Sequence, residues 1–134
     1  MSLKYHQLDS SVEKQIKENI SKGILSSYRF MDENAVRRNM EKGKNSVLRP
    51  SFGRDIEKIL HLPLYNRYND KTQVFSFYNN DDITRRGLHV QLVSRISRNI
   101  GRMLGLNLDL IESIALGHDV GHTPFGHAGE RYLS

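Results

Sequence analysis

Histidines and carboxylates crowd one short stretch near the end of the sequence. Positions 118–130 read HDVGHTPFGHAGE, which places three histidines at spacings of four and five residues beside two carboxylates. Imidazole nitrogens and carboxylate oxygens bind zinc, manganese, iron, nickel and, with more waters, magnesium. The glycines between them let the backbone approach a ligand closely, which suits a phosphate-binding catalytic turn. Because the chain has no cysteine, any metal must be held by such nitrogen and oxygen atoms.

A further histidine, His89, is predicted to face the same interior as His118. His89 lies four residues before Val93 on the apolar face of one predicted helix. His118 lies four residues after Ile114 at the end of the next helix. Asp119 follows directly, and an enclosed carboxylate is costly unless a cation or a donor pairs with it. Two imidazoles and one carboxylate predict a metal site, although each histidine could instead be a hydrogen-bonded core residue.

Hydrophobic spacing predicts the helices that position these side chains. They cover residues 9–22, 32–41, 54–61, 81–104 and 109–118, and a last helix begins near Phe125 or Gly126. The predicted caps and stops are Asp9, Ser10 or Ser11 for the first helix, and Gly23, Gly43, Pro63, Asp81, Asp82 and Gly105 further along. The residues predicted to face the core are Leu88, His89, Leu92, Val93, Ile96, Ile100, Met103 and Leu104, then Leu110, Ile111, Ile114 and Ala115. The β-prone stretch 72–78 is isolated and is predicted to be an extended connector, so the domain is all-α.

Composition excludes several classes of protein. The 134 residues suffice for one domain, and no stretch approaches the ~20 consecutive apolar residues that a membrane-spanning helix needs. The first ten residues lack the apolar segment of a secretory signal, so we expect a cytoplasmic location. The formal net charge of +5 attracts phosphates, whether on free nucleotides or on nucleic acid. The basic residues are scattered, however, which also fits an ordinary solvated surface.

Four blocks of the chain resemble one enzyme family. They are RDIEKILH at 54–61, YNRYNDKTQVF at 65–75, TRRGLH at 84–89 and IALGHDVGHTPFGHAGE at 114–130. Together they are similar to the HD-domain metal-dependent phosphohydrolases, most closely to the deoxynucleoside triphosphate triphosphohydrolase branch, the dGTPase family. The resemblance implies an all-α HD-domain helical bundle. Residues 1–53 would form an N-terminal helical segment, and residues 54–134 the front part of the HD domain.

The resemblance also implies roles for individual residues. The metal ligands would be His89, His118 and Asp119. The catalytic or substrate-facing residues would be His122, His127 and Glu130. The cations that bind the triphosphate would be Arg67, Lys71 and Arg86. The metal would be a divalent ion, with Mn, Mg, Fe, Co, Ni and Zn all open, and the last histidine and its glutamate could instead form a purely structural pair at a helix end.

The implied reaction is hydrolysis of a deoxynucleoside triphosphate to the deoxynucleoside and an intact triphosphate. Water would attack the α-phosphorus, and His127, oriented by Glu130, would transfer a proton to the leaving 5′-oxygen or assist the water. Two alternatives stay open: an HD phosphohydrolase for another nucleotide, and a non-catalytic module that binds nucleotides or single-stranded nucleic acid.

The sequence departs from the family pattern at its end. The family has a fourth metal ligand, an Asp well beyond the paired His-Asp, and no Asp follows Asp119 here. We therefore expect the front piece of a longer enzyme, truncated before the later helices, or a short paralogue with impaired catalysis. A missing wall would expose apolar surface that a second copy could cover, so a homo-oligomer is expected.

Overall fold

The structure, a computed structural model, describes residues 7–38, 48–67 and 84–122, together with residues 71 and 131. Within these ranges the chain forms five α-helices: α1 (Ser10–Ser21), α2 (Ser51–Leu60), α3 (Pro63–Asn66), α4 (Arg86–Met103) and α5 (Leu108–Gly117). The same ranges contain no strand, only single bridge residues at positions 49 and 85. The all-α prediction is confirmed. The predicted connector over 72–78 and the predicted last helix near Phe125 lie outside the described residues.

Helix α1 begins and ends at the predicted residues. The Asp9 carboxylate accepts a hydrogen bond from the backbone N–H of Ser11 at 2.8 Å and from its hydroxyl at 2.6 Å. These bonds satisfy one of the amides that a helix start leaves unpaired. Beyond the last turn, Gly23 takes a φ of 63°, the left-handed conformation that commonly stops a helix.

Helix α2 is capped by a residue far away in the chain. Pro50 precedes the helix, and its ring carries no acceptor, but the Asp32 carboxylate accepts from the Phe52 N–H at 3.0 Å. Asp32 itself begins only a 3-10 turn, Asp32–Asn34, after which Ala35 is extended. The prediction of a helix over 32–41 is therefore wrong for residues 32–38, the part that the structure describes. Instead of forming a helix, the segment places the Asp32 carboxylate at the start of α2. Residues 39–47 lie outside the described part.

Helix α4 begins later than predicted and stops where expected. Thr84 and Arg85 are not helical, and the Arg86 N–H donates to the Lys71 carbonyl at 3.1 Å. The predicted caps at 81 and 82 lie outside the described residues. Gly105 ends the helix with a φ of 66°, and a Cβ there would lie 2.9 Å from backbone atoms of residues 24 and 26. Asn107 then caps α5, because its side-chain oxygen accepts from the backbone N–H groups of Asp109 and Leu110.

The face of α4 that packs against α5 differs from the predicted one. The buried residues of α4 are Arg86, Val90, Ser94 and Gly101. The larger residues that were predicted to face the core are exposed and form a surface that we call the apolar ridge: Leu88, Leu92, Ile96 and Ile100. The predicted stripe is thus wrong for these four residues, and also for Met103 and Leu104 at the end of the helix, which are exposed too. Ile114 on α5 is likewise exposed instead of inward.

The reason for this difference is the size of the side chains between the two helices. A Cβ at Gly101 would overlap the end of the Ile111 side chain, so α4 and α5 meet where glycine leaves room. Small residues permit a close approach of two helix axes, whereas the large residues of the apolar ridge would hold them apart. Hydrophobicity alone therefore selected the wrong side of α4.

A small core lies where α2, α4 and α5 meet. Val90 and Leu116 are fully enclosed, and Ile56, Ile59 and Val120 pack around them. The expected division at residues 53 and 54 falls within α2 and stays a prediction. Across the described ranges, every helix is too short or too polar to cross a bilayer.

Candidate metal centre

Three side chains predicted as metal ligands converge between α4 and α5. One ligand atom from each of His89, His118 and Asp119 lies within 4.8 Å of the other two. The two imidazole rings meet edge-on, with centroids 5.9 Å apart and planes inclined by 62°. His89 is supplied by the first turn of α4, and the other two residues by the end of α5. The close packing of these helices is what brings the three groups within reach of one ion.

Local hydrogen bonding sets the His118 ring for metal binding. Its Nδ1 lies 2.6 Å from the Ala115 carbonyl oxygen. A carbonyl oxygen only accepts, so Nδ1 is the donor of this hydrogen bond and Nε2 is the ring nitrogen left for another partner. Nε2 faces the site, 3.7 Å from Oδ2 of Asp119. This is the arrangement usual for metal-binding histidines, in which a backbone carbonyl orients the ring and fixes its tautomer.

The Asp119 carboxylate is held by Arg86. Nη1 of Arg86 donates to Oδ2 at 2.6 Å, and both side chains are largely enclosed, with exposed fractions of 10% and 16%. Burial acts to raise the pKa of Asp119, but the hydrogen bond and charge of Arg86 outweigh it and hold that pKa below its ordinary value. His118 and His122 add smaller effects in the same direction. The carboxylate is therefore ionised and ready to bind a cation.

The turn after α5 is tied back to the segment before α4. Gly121 takes a φ of 88°, and the His122 N–H donates to the Asp119 carbonyl at 3.0 Å. The His122 carbonyl in turn accepts from the Lys71 ammonium. Lys71 and Arg86, both predicted to bind a triphosphate, thus contact the residues around the candidate metal ligands.

The remaining predicted site residues lie elsewhere or outside the described part. Arg67 forms the C-cap of α3, where it is exposed. Helix α3 contacts α4 through a hydrogen bond of 2.6 Å, which the Gln91 side-chain amide donates to the Tyr65 hydroxyl. His127 and Glu130 lie outside the described residues.

Sequence reasoning missed the contact between Arg86 and Asp119. The spacing of three residues between Arg86 and His89 does place both on one face of α4. That spacing is the only signal in the sequence, because the partner lies 33 residues further along the chain. One polar atom of this group, Arg86 Nε, is buried and has no hydrogen-bond partner in the described structure.

The donor set fits a divalent metal ion. It offers two imidazoles and one ionised carboxylate, a combination that suits first-row transition metals and also magnesium if water completes the coordination. Three protein ligands leave further positions open, as catalytic metal sites do.

Comparisons with known proteins cover the part of the chain that contains this site. The family model for the HD domain matches residues 86–134, which include all three candidate ligands. A deoxyguanosinetriphosphate triphosphohydrolase-like protein of Caldanaerobacter subterraneus is 41% identical over 121 residues, covering 90% of this chain and 35% of the relative. Proteins of the same name from Parvibaculum lavamentivorans and Azorhizobium caulinodans are 47% and 48% identical over 88 and 85 residues.

These two alignments cover 66% and 63% of this chain but only 22% and 21% of the relatives. The chain thus spans between about a fifth and about a third of the length of the curated relatives that it matches. HD domains are metal-dependent, and the matched part of this chain contains the paired His118 and Asp119 together with His89. Residues 86–134 of this chain thus belong to the HD-domain family.

Proposed function

We propose that this chain carries the metal-binding part of a phosphohydrolase that cleaves deoxynucleoside triphosphates into the deoxynucleoside and triphosphate. The observation that carries the proposal is the convergence of His89, His118 and Asp119 within 4.8 Å at the junction of α4 and α5. The names of the relatives support the substrate class, since each is called deoxyguanosinetriphosphate triphosphohydrolase-like.

In this reaction the chain's residues would hold the metal ion, transfer a proton and bind the phosphates. His89, His118 and Asp119 would hold the divalent ion, which supplies Lewis-acid polarisation of a phosphoryl oxygen and acidification of water. The water oxygen would bond to the α-phosphorus, and the bond from that phosphorus to the 5′-oxygen would break. We assign the proton that the leaving 5′-oxygen gains to His127, with Glu130 as its orienting partner and His122 facing the substrate. Arg67 and Arg86 would contribute positive charge toward the phosphates.

The test is a product analysis with matched histidine variants. The chain is incubated with each deoxynucleoside triphosphate and Mn²⁺ or Mg²⁺, and nucleoside and triphosphate are separated by chromatography. We expect metal-dependent release that is lost in His89→Ala and in His118→Ala. His61→Ala is the control, because His61 is an exposed residue at the end of α2, where its Nδ1 contacts the Glu57 carbonyl of the same helix. A parallel titration with Mn²⁺, followed by electron paramagnetic resonance, measures metal binding without turnover.

Other outcomes identify the alternatives. Release of phosphate or pyrophosphate, with the same dependence on His118, would indicate an HD phosphohydrolase with another substrate. Absence of both product and bound Mn²⁺, with tight oligonucleotide binding that weakens steeply with salt, would overturn the proposal in favour of a nucleic-acid-binding module.

We also propose that the chain self-associates through the apolar ridge of α4. Leu92 and Ile96 are 50% and 60% exposed in a row of four large apolar residues, and such contiguous patches commonly mark association sites. Light scattering should detect a species larger than one chain, and the double variant Leu92→Glu with Ile96→Glu should shift it to the monomer. A monomeric wild-type chain at high concentration would contradict this. The cytoplasmic location and the division at residues 53 and 54 stay predictions.

A further inference from the structure

We infer that Lys71 is a positioning residue that locks the turn after α5 to the start of α4, and thereby fixes the spacing of the candidate metal ligands. The inference deepens the proposed function, and its metal-affinity arm rests on that function. It assigns Lys71 a different task from the phosphate contact that its charge and sequence context predict.

Four residues form a closed ring of hydrogen bonds at this point. The Lys71 carbonyl accepts from the Arg86 N–H at 3.1 Å, and the Arg86 guanidinium donates to the Asp119 carboxylate at 2.6 Å. The Asp119 carbonyl accepts from the His122 N–H at 3.0 Å. The ring closes where the Lys71 ammonium donates to the His122 carbonyl. Two side-chain bonds cross between the segment before α4 and the turn after α5: Arg86 to the Asp119 carboxylate, and Lys71 to the His122 carbonyl.

The ring controls the distance between the two sources of metal ligands. Arg86 precedes His89 by less than one turn of α4, and Asp119 follows His118 directly. Arg86 is bonded to the backbone of Lys71, and His122 to its side chain. These two bonds therefore fix the position of His89 relative to His118 and Asp119. Residues that orient metal ligands from outside the coordination shell typically change metal affinity 10–100-fold when removed.

The turn needs such a lock because its own sequence holds it weakly. Gly121 occupies the left-handed region at a φ of 88°, and a Cβ built there meets nothing within 4 Å. Glycine also populates many other backbone conformations in the absence of a constraint. The bond from the Lys71 ammonium to the His122 carbonyl lies one residue beyond this glycine and limits its freedom.

The decisive variants are Lys71→Met and Lys71→Arg, compared with Lys14→Met on the exposed surface of α1. Methionine keeps the length of the side chain but removes the donor, whereas arginine keeps a charged donor. Hydrogen exchange followed by nuclear magnetic resonance reports on the His122 and Arg86 amides without any metal. We expect both amides to exchange about tenfold faster in Lys71→Met than in the wild type.

The second readout is the affinity for Mn²⁺ in the absence of nucleotide. Lys71→Met should weaken it about tenfold. Lys71→Arg should recover most of that loss, and Lys14→Met should leave the wild-type value unchanged. If Lys71→Met fails to fold, Lys71→Gln replaces it in both measurements. Glutamine is shorter than lysine and uncharged, but it keeps a polar end.

Two results would overturn the inference. In the first, Lys71→Met exchanges its amides and binds Mn²⁺ as the wild type does, but binds a non-hydrolysable deoxynucleoside triphosphate more weakly. Lys71 would then be a phosphate ligand. The other is unchanged exchange of both amides in every variant. If the wild-type chain binds no Mn²⁺, the proposed function fails, while the exchange measurement still decides the role of Lys71.

Discussion

The two sides of α4 are built from opposite kinds of residue. The side against α5 buries Val90, Ser94 and Gly101 together with the ion-paired Arg86, whereas the opposite side exposes the large apolar residues of the apolar ridge. Burial on this helix therefore does not follow hydrophobicity. The small residues matter for the candidate site, because they let α4 and α5 approach until His89 and His118 face each other. The ridge has no part in that geometry.

The two sides of α4 should differ most in the free energy of unfolding that is lost when a single charged residue is introduced on each side. Val90→Asp puts a carboxylate into a fully enclosed position, and we expect a loss of about 3 kcal/mol or more in the free energy of unfolding. Leu92→Asp, on the half-exposed ridge, should change it by less than about 0.5 kcal/mol. Urea unfolding at low protein concentration measures both. Equal losses would mean that the ridge is as buried as the opposite side.

A smaller effect is expected from a bulky side chain at the helix contact. Gly101→Val places methyl groups where the Ile111 side chain already lies, and we expect a loss of about 1–3 kcal/mol from overpacking. Forcing α4 and α5 apart should also weaken Mn²⁺ binding. Asn99→Val on the exposed side is the matched control and should affect neither quantity appreciably. Unchanged metal affinity in Gly101→Val would show that the close approach does not set the site.

Removing the Arg86 cation beside Asp119 should lower the free energy of unfolding somewhat less than Gly101→Val does. Arg86→Met leaves a largely enclosed carboxylate without its donor, so we expect a loss of about 1–2 kcal/mol when metal is kept away with a chelator. Added Mn²⁺ should restore more stability to this variant than to the wild type, because the ion would replace the missing positive charge. Thermal unfolding with and without Mn²⁺ measures this. Arg95→Met, exposed on α4, serves as the control and should respond to Mn²⁺ as the wild type does.

The smallest effect is expected in α1, which contacts α4 although none of its own residues is buried. Hydrogen bonds from Ser11 lower the pKa of Asp9, and the contact with Lys17 lowers the pKa of Glu13. A lowered pKa means that each carboxylate stabilises the folded chain above the ordinary carboxyl range and ceases to do so as pH falls through the lowered value. We therefore expect a slight loss of helical circular dichroism on acidification.

Substituting the cap separates this titration from other acid effects. Asp9→Ser keeps a capping oxygen that does not titrate, so the part of the acid-induced loss that comes from the cap should disappear. The chemical shifts of Val90 and Leu116 should stay constant over the same pH range, because α1 does not form that core. A core that responds together with α1 would contradict the separation of the two regions.

Local chemistry made several features predictable. The cap of α1 and the stops at Gly23 and Gly105 depend on the residue itself and its immediate neighbours. The structure has both stops as predicted and selects Asp9 from the three possible caps at residues 9–11. Residue type and helical spacing were likewise enough to select His89, His118 and Asp119 as candidate ligands. The ligand atoms of these residues do lie close together.

Other features depend on partners that are distant in the chain. Asp32 was predicted to start a helix of its own, but its carboxylate caps α2 twenty residues later. The apolar ridge was predicted to be core because hydrophobicity does not say which side of a helix a neighbour can approach. In both cases the competing interaction is tertiary, and no local pattern contains it.

By itself the sequence determined the helical class, the family and the chemistry of the donor atoms, because these depend on residue types and their spacing. Tertiary structure decided which side of α4 is buried, and it placed Arg86 on the Asp119 carboxylate and Lys71 across the turn at His122. The physical reason is that close packing and the pairing of enclosed charges are set by the residues that meet in space, and those residues lie 33 and 51 positions apart in the chain.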